Sequence, residues 1–215
     1  MKILEVKTLI FPEVKVIKFS RFGDERGYFS ELFRQSDFQK NNETSFYKNA
    51  AFVQVNESFS RKNVIRGLHF QWNPYMGKLV RTVHGHMVDM ILDIRLNSPT
   101  FGKIIVYDMP ASPQRDFNEW IWIPVGFAHG NFFLAETIIE YFCTGEYNSN
   151  SEAGISPLSL DLDWSLCSDD LKKNFDAVRS NQPLISRKDR NGYTLAQWKN
   201  DEKAKNFLYK SRNST

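Results

Sequence analysis

Short stretches that are either apolar or alternate apolar with polar positions run through the middle of the chain, at 52–55, 78–83, 87–94, 103–109 and 120–123. Each stretch is of strand length, rich in β-branched or aromatic residues, and bounded by Gly, Pro, Asn or Ser. Many short strands at regular spacing predict a sandwich or barrel. Gly85, Gly102, Gly126 and Gly130 divide the runs as turns or close backbone approaches would. Helical signals come late. Ser168 is placed to cap a helix over 169–178, with Asp169 and Asp170 in its first turn. Thr194 is placed to cap a second over 195–207, whose polar face carries Lys199, Asp201, Glu202 and Lys203. Residues 210–215 read as a frayed polar tail. With no repeat or linker in view, the pattern predicts one mainly β domain over 1–192 and a helical C-terminal extension over 193–215.

Composition narrows the class. The 215 residues are 41% hydrophobic, 14% aromatic and 25% charged, which is globular rather than disordered. Phe alone occurs 18 times, suiting half-buried pleated surfaces. The net charge of +3 is spread along the chain with no basic run, so a nucleic-acid surface is not implied. Cys143 and Cys167 lie in no metal or redox motif and are expected as free thiols in a reducing compartment. The first residues, broken by Glu5, Lys7 and Glu13, have neither a signal-peptide core nor a membrane span, so the cytoplasm is the expected location.

Four histidines carry the candidate chemistry: His69, His84, His86 and His129. If His84 and His86 lie in one strand they share a face, and with His129 they allow a metal-site reading. No carboxylate stands where a facial triad would need it, and the alternative has the pair flanking a turn at Gly85. His69 lies in Val64-Ile65-Arg66-Gly67-Leu68-His69-Phe70-Gln71. Period-two arithmetic puts Arg66 and His69 on opposite faces of a regular strand, unless Gly67 is a bulge.

A longer set of stretches runs in order along the chain. It begins at Phe22-Gly23-Asp24-Glu25-Arg26-Gly27-Tyr28-Phe29-Ser30-Glu31, then Phe52-Val53-Gln54-Val55-Asn56 and Arg66-Gly67-Leu68-His69-Phe70-Gln71. It continues through Gly77-Lys78-Leu79-Val80-Arg81, Asp93-Ile94-Arg95 and Ser98-Pro99-Thr100-Phe101-Gly102. Ile123-Pro124, Gly126-Phe127-Ala128-His129-Gly130 and Ser186-Arg187-Lys188-Asp189 complete it. This ordered set resembles the dTDP-4-dehydrorhamnose 3,5-epimerase family. The resemblance implies a cupin-type double-stranded β-helix, or jelly roll, with short C-terminal helices. It also implies a homodimer acting on a nucleoside-diphosphate 4-keto sugar without metal or redox cofactor.

By the same resemblance His69 is the general base, Asp189 its carboxylate partner, Tyr141 the acid on the opposite face and Lys78 the cation at the C4 oxygen. Arg26, Phe29, Glu31, Gln54, Asn56, Arg66, His129, Glu152 and Lys188 match ligand-contacting positions, with Arg26 and Glu31 reaching the neighbouring subunit's site. These residue types suit the chemistry. A proton beside a ketone becomes removable when the enolate oxygen is stabilised, and an imidazole is a fit base near neutral pH. Inversion then needs a donor on the other face, and arginine forks match pyrophosphate oxygens.

The chain departs from the family pattern in places. Asn131 follows His129-Gly130 where an aromatic residue is common, and the segments at 172–182 and beyond Gly192 differ in length. Counting back from Glu152 and Tyr147 through Cys143-Thr144 puts the acid at Tyr141; counting forward from His129 lands on Phe142. The backward count keeps more matches. Other readings are a single-site C3- or C5-epimerase on another nucleotide sugar, a metal-dependent cupin enzyme using His84, His86 and His129, and a binding module without chemistry.

Overall fold

The computed structural model describes residues 1–47 and 50–209. In chain order the strands begin with β1 (Ile3–Thr8), β2 (Lys15–Ser20), β3 (Phe22–Asp24), β4 (Gly27–Phe29) and β5 (Gln54–Ser60). Next come β6 (Val64–Gln71), β7 (Lys78–His84), β8 (His86–Asp93), β9 (Ile104–Pro110) and β10 (Phe117–Ile123). The last are β11 (Phe127–Phe133), β12 (Thr137–Cys143), β13 (Glu152–Gly154) and β14 (Leu184–Ile185). Helices α1 (Gln35–Lys40), α2 (Asp169–Ser180), α3 (Arg187–Arg190) and α4 (Leu195–Asn200) complete the list with two 3-10 turns, Asn42–Tyr47 and Glu202–Asn206.

The strands form two large sheets, ordered β1-β2-β10-β7-β12-β5 and β13-β6-β11-β8-β9, with β14 added parallel to β6. Strands that follow one another in sequence often lie in opposite sheets, the jelly-roll arrangement. Because side chains alternate, each sheet buries two different sets. Between the sheets lie Val16, Val80, Met87, Ile91, Ile121, Phe127, Phe133 and Ile139. Outside the first sheet, Trp120, Trp122 and Phe142 pack with Phe33, Phe38, Tyr47 and Phe52. Outside the second, Leu68, Phe70, Val88, Met90 and Phe132 pack with Phe175, Trp198 and Phe207 of the late helical segments.

The late helices differ in part from the sequence pattern. Helix α2 starts after Ser168 as expected, but the serine side chain makes no capping bond; its carbonyl accepts from the Lys172 N–H. Thr194 does cap α4, in a reciprocal box with Gln197. The helix expected over 195–207 is two pieces, because Asp201 interrupts it. Its carboxylate accepts from the Lys203 N–H and the Tyr193 hydroxyl, recapping the chain into a 3-10 turn. The tail at 210–215 lies outside the described residues.

His84 and His86 do not share a strand. Gly85 is the turn between β7 and β8, with φ +85°, and a Cβ there would lie 2.0 Å from the Glu136 carbonyl oxygen. His86 bonds Asp108 of β9 at 2.5 Å, whereas His129 sits midway along β11 opposite Ile91. Among the described residues no cluster of three His, Cys, Asp or Glu forms a metal site, so the three-histidine reading fails on geometry.

Candidate active site

Alternation in the strands sets which side chains enter the space between the sheets. On β12, Ile139, Tyr141 and Cys143 point inward while Phe142 joins the outer aromatic cluster. The phenol, not the neighbouring phenyl ring, therefore faces the cavity. On β5 the inward residues are Gln54, Asn56 and Ser58, and Lys78 enters at the start of β7. From the other sheet come Asp89 of β8 and His129 and Asn131 of β11, in step with buried Met87, Phe127 and Phe133.

β6 needs one irregularity to join them. His129 lies opposite His69 and Asn131 opposite Arg66, so three steps on β6 match two on β11. Ile65 and Leu68 both pack on the outer face, three residues apart. This bulge puts Arg66 and His69 along one cavity, against the regular-strand arithmetic. Gly67 permits it: its φ is +104°, and a Cβ there would stand 2.5 Å from the Gly130 Cα.

Two adjoining cavities result. The larger, about 360 Å³, is lined by Gln54, Asn56, His69, Gln71, Met76, Lys78, Tyr141, Cys143, Tyr147 and Glu152. The smaller, about 150 Å³, is lined by Ser58, Arg66, His69, Lys78, His129, Asn131, Tyr141 and Asp189. His69, Lys78 and Tyr141 border both.

His69 Nε2 lies 2.6 Å from Asp189 Oδ1. The carboxylate arrives from the C-terminal side: β14 pairs with β6, Ser186 caps α3 through the Asp189 N–H, and Asp189 lands buried beside the imidazole. Burial alone would raise its pKa, but His69, the Gly67 N–H and Ser186 hold the carboxyl below its ordinary range. Burial raises the Tyr141 phenol, with Cys143 adding to this and Arg66 and Asn56 opposing it, so the hydroxyl keeps its proton. Burial pushes the Lys78 ammonium down, against Cys143, Asp89 and Glu152. His129 bonds Asp89 at 2.6 Å, yet its deep burial lowers its pKa and favours the neutral ring.

The remaining expected residues divide between rim and surface. Glu152 accepts from the Tyr147 hydroxyl at 2.6 Å and pairs with Lys188. Gln54 accepts from the Tyr147 N–H and donates to Asn56. Arg66 donates to the Ser60 hydroxyl and the Phe59 carbonyl. Arg26, Phe29 and Glu31 do not line these cavities. Arg26 pairs with Asp24 in the exposed β3–β4 hairpin, Phe29 is 67% exposed there, and Glu31 binds the terminal ammonium and Arg34. Sequence reading passed over Asp89, Tyr147, Gln71 and Cys143. For Asp89 a signal existed, an acid within the apolar run Met87-Val88-Asp89-Met90-Ile91-Leu92.

Known proteins match this chain over most of its length. Residues 8–197 match the dTDP-4-dehydrorhamnose 3,5-epimerase family. An enzyme of that name from Shigella flexneri is 40% identical over 191 residues, 87% of this chain and 93% of its own. One from Methanothermobacter thermautotrophicus is 38% identical, over 90% and 92% respectively. Among solved structures, a dTDP-6-deoxy-D-glucose-3,5-epimerase from Legionella pneumophila in complex with dTDP-4-keto-L-rhamnose superposes with a TM-score of 0.78. It shares 33% identity and covers 96% of this chain and 99% of its own. A jelly-roll scaffold that turns a histidine–carboxylate pair, a phenol and an ammonium toward common cavities, matched over most of its length, makes this chain an isomerase and a member of the dTDP-4-dehydrorhamnose 3,5-epimerase family.

Proposed function

We propose that this protein epimerises a dTDP-linked 4-keto-6-deoxyhexose at C3 and C5, using His69 as base and Tyr141 as acid. The observation that carries the reading is the ammonium of Lys78. It makes no hydrogen bond or ion pair among the described residues, and it borders both cavities, as His69 and Tyr141 do. A cavity-lining ammonium to which no side chain is hydrogen-bonded suits an oxygen that becomes negative during reaction.

His69 takes the proton from the carbon beside the ketone, and the C–H pair becomes the enolate, its charge on the C4 oxygen at Lys78. Asp189 orients the imidazole and stabilises the imidazolium. Tyr141 returns a proton to the other face of the same carbon, so that the centre inverts and atoms balance. C3 and C5 both flank C4, so one cation serves both enolates. A fixed oxyanion donor is worth about 3–4 kcal/mol, and a positioned base about 10²–10⁴-fold in rate.

Arg66 and Lys188 stand at the rim for the diphosphate, with Gln54, Asn56, His129 and Glu152 around the sugar and base. Further grip comes from a second copy, whose exposed hairpin would bring Arg26, Phe29 and Glu31 across. Exposed Phe22, Tyr28 and Phe29 on that hairpin, and Val53, Val55 and Phe59 on and beside edge strand β5, support such a homodimer. Cytoplasmic work suits this substrate, and among the described residues no helix is long and apolar enough to cross a membrane.

The test is incubation with dTDP-4-keto-6-deoxyglucose in deuterated water, with exchanged carbons counted by NMR. Exchange at both C3 and C5, abolished in His69→Ala, supports the reading. Exchange at one carbon reduces it to a single-site epimerase, and none at either ends it.

A further inference from the structure

Asn131 has no part in the proton transfers above, yet it lies on the wall of the smaller cavity, 4% exposed, against a buried acid. Asp89, fully buried on the inward face of β8, receives two bonds on one oxygen. His129 Nε2 lies 2.6 Å and Asn131 Nδ2 2.7 Å from Oδ1. The other oxygen, Oδ2, has no partner among the described residues. A buried carboxylate so placed depends on the donors to its one bonded oxygen and on a positive charge nearby. His129 supplies a dipole rather than a charge, since burial favours its neutral ring.

The nearby charge is Lys78. The groups that face it are Cys143 and Tyr141 of β12, Asp89 of β8, His129 of β11, Glu152 of β13, and His69 and Arg66 of β6. Cys143 is a buried thiol whose pKa burial raises, so it stays neutral near pH 7. Glu152 already accepts from Tyr147 and pairs with Lys188. Asp89 is the carboxylate with an oxygen to spare.

We propose that Asn131 is a positioning residue: by donating to Asp89 it fixes that carboxylate in the pocket wall, and so holds an acid beside the Lys78 ammonium. The role of this charge in catalysis rests on the reading of Lys78 given above; the electrostatic link between Asn131 and Lys78 does not.

Competitive acetylation with acetic anhydride from about pH 6 to about pH 11, with the Lys78 peptide followed by mass spectrometry, reads the ammonium directly. In Asn131→Leu the midpoint of Lys78 labelling falls by about one pH unit or more, in the direction given by Asp89→Asn. The double variant falls no further than Asp89→Asn alone. Thermal melts check that each variant is folded, and Asn131→Ala, which adds no bulk, repeats the shift if Asn131→Leu misfolds. In turnover the alkaline limb of kcat moves with the labelling midpoint, while KM stays within about twofold. A midpoint within about 0.3 pH unit of the parent in both Asn131 variants overturns the proposal. A shifted midpoint in a protein that epimerises no tested sugar leaves this link standing and removes only the assigned reaction.

Discussion

Replacing Asp189 with asparagine keeps the shape beside His69 and removes the charge. The proposed transition state turns the imidazole positive while its Nε2 stands 2.6 Å from the carboxylate. With charge centres roughly 4 Å apart and an effective dielectric constant of about 20, the attraction is about 4 kcal/mol. His69 is 34% exposed at its side chain, and solvent screening reduces this to about 2–3 kcal/mol, the range of a hydrogen bond to a charged group. At about 1.4 kcal/mol per tenfold, kcat falls by about 30- to 150-fold. KM changes by less than about threefold, because Asp189 acts on the imidazole and not on the diphosphate. Steady-state epimerisation, with deuterium wash-in as a second readout, checks both numbers. A variant that keeps more than about a third of the parental kcat refutes the pairing as a catalytic device. Stability gives an independent sign. The folded carboxyl is held below its ordinary pKa, so its contribution is complete above about pH 4 and is lost as pH falls through the folded value. Asp189→Asn accordingly flattens the acid limb of the stability curve.

Three further outcomes follow from the site and its frame. Tyr141→Phe keeps the base and loses the donor on the opposite face, so solvent deuterium still enters the substrate while inversion falls by about 10²-fold or more, measured by NMR on one sample. Gly67→Ala places a Cβ against the Gly130 backbone at positive φ, costing about 3 kcal/mol and lowering the melting temperature by about 6–12 °C in calorimetry. His129, whose folded pKa is depressed, makes stability decline as pH falls below about 6.5, where the unfolded chain takes up a proton that the folded one refuses; His129→Gln removes that slope in denaturant titrations.

The strands were legible because short apolar or alternating runs between turn residues are a local property. The runs at 78–83, 87–94 and 103–109 fall within a residue of β7, β8 and β9. The helix over 195–207 was misread because a capping side chain, Asp201, overrides a continuous amphipathic pattern. The meeting of Arg66 with His69 was open in the sequence, since one extra residue at Gly67 reverses the face of everything after it. His84 and His86 show the converse: spacing of two signals a shared face only if the residue between them is not the turn. Asp89 looked like an interruption in an apolar strand, and its meaning depends on β11, forty residues away, placing His129 and Asn131 against it.

The attachment of Asp189 has a bearing on biosynthesis. Strands β5 to β12 can leave the ribosome, close the jelly roll and expose His69 before residues 184–190 have been made. Until Leu184 and Ile185 dock along β6, the imidazole stands in an open groove with no acid behind it. A nascent chain therefore carries a shaped pocket whose proposed base gains its carboxylate only when the segment bearing Asp189 has docked.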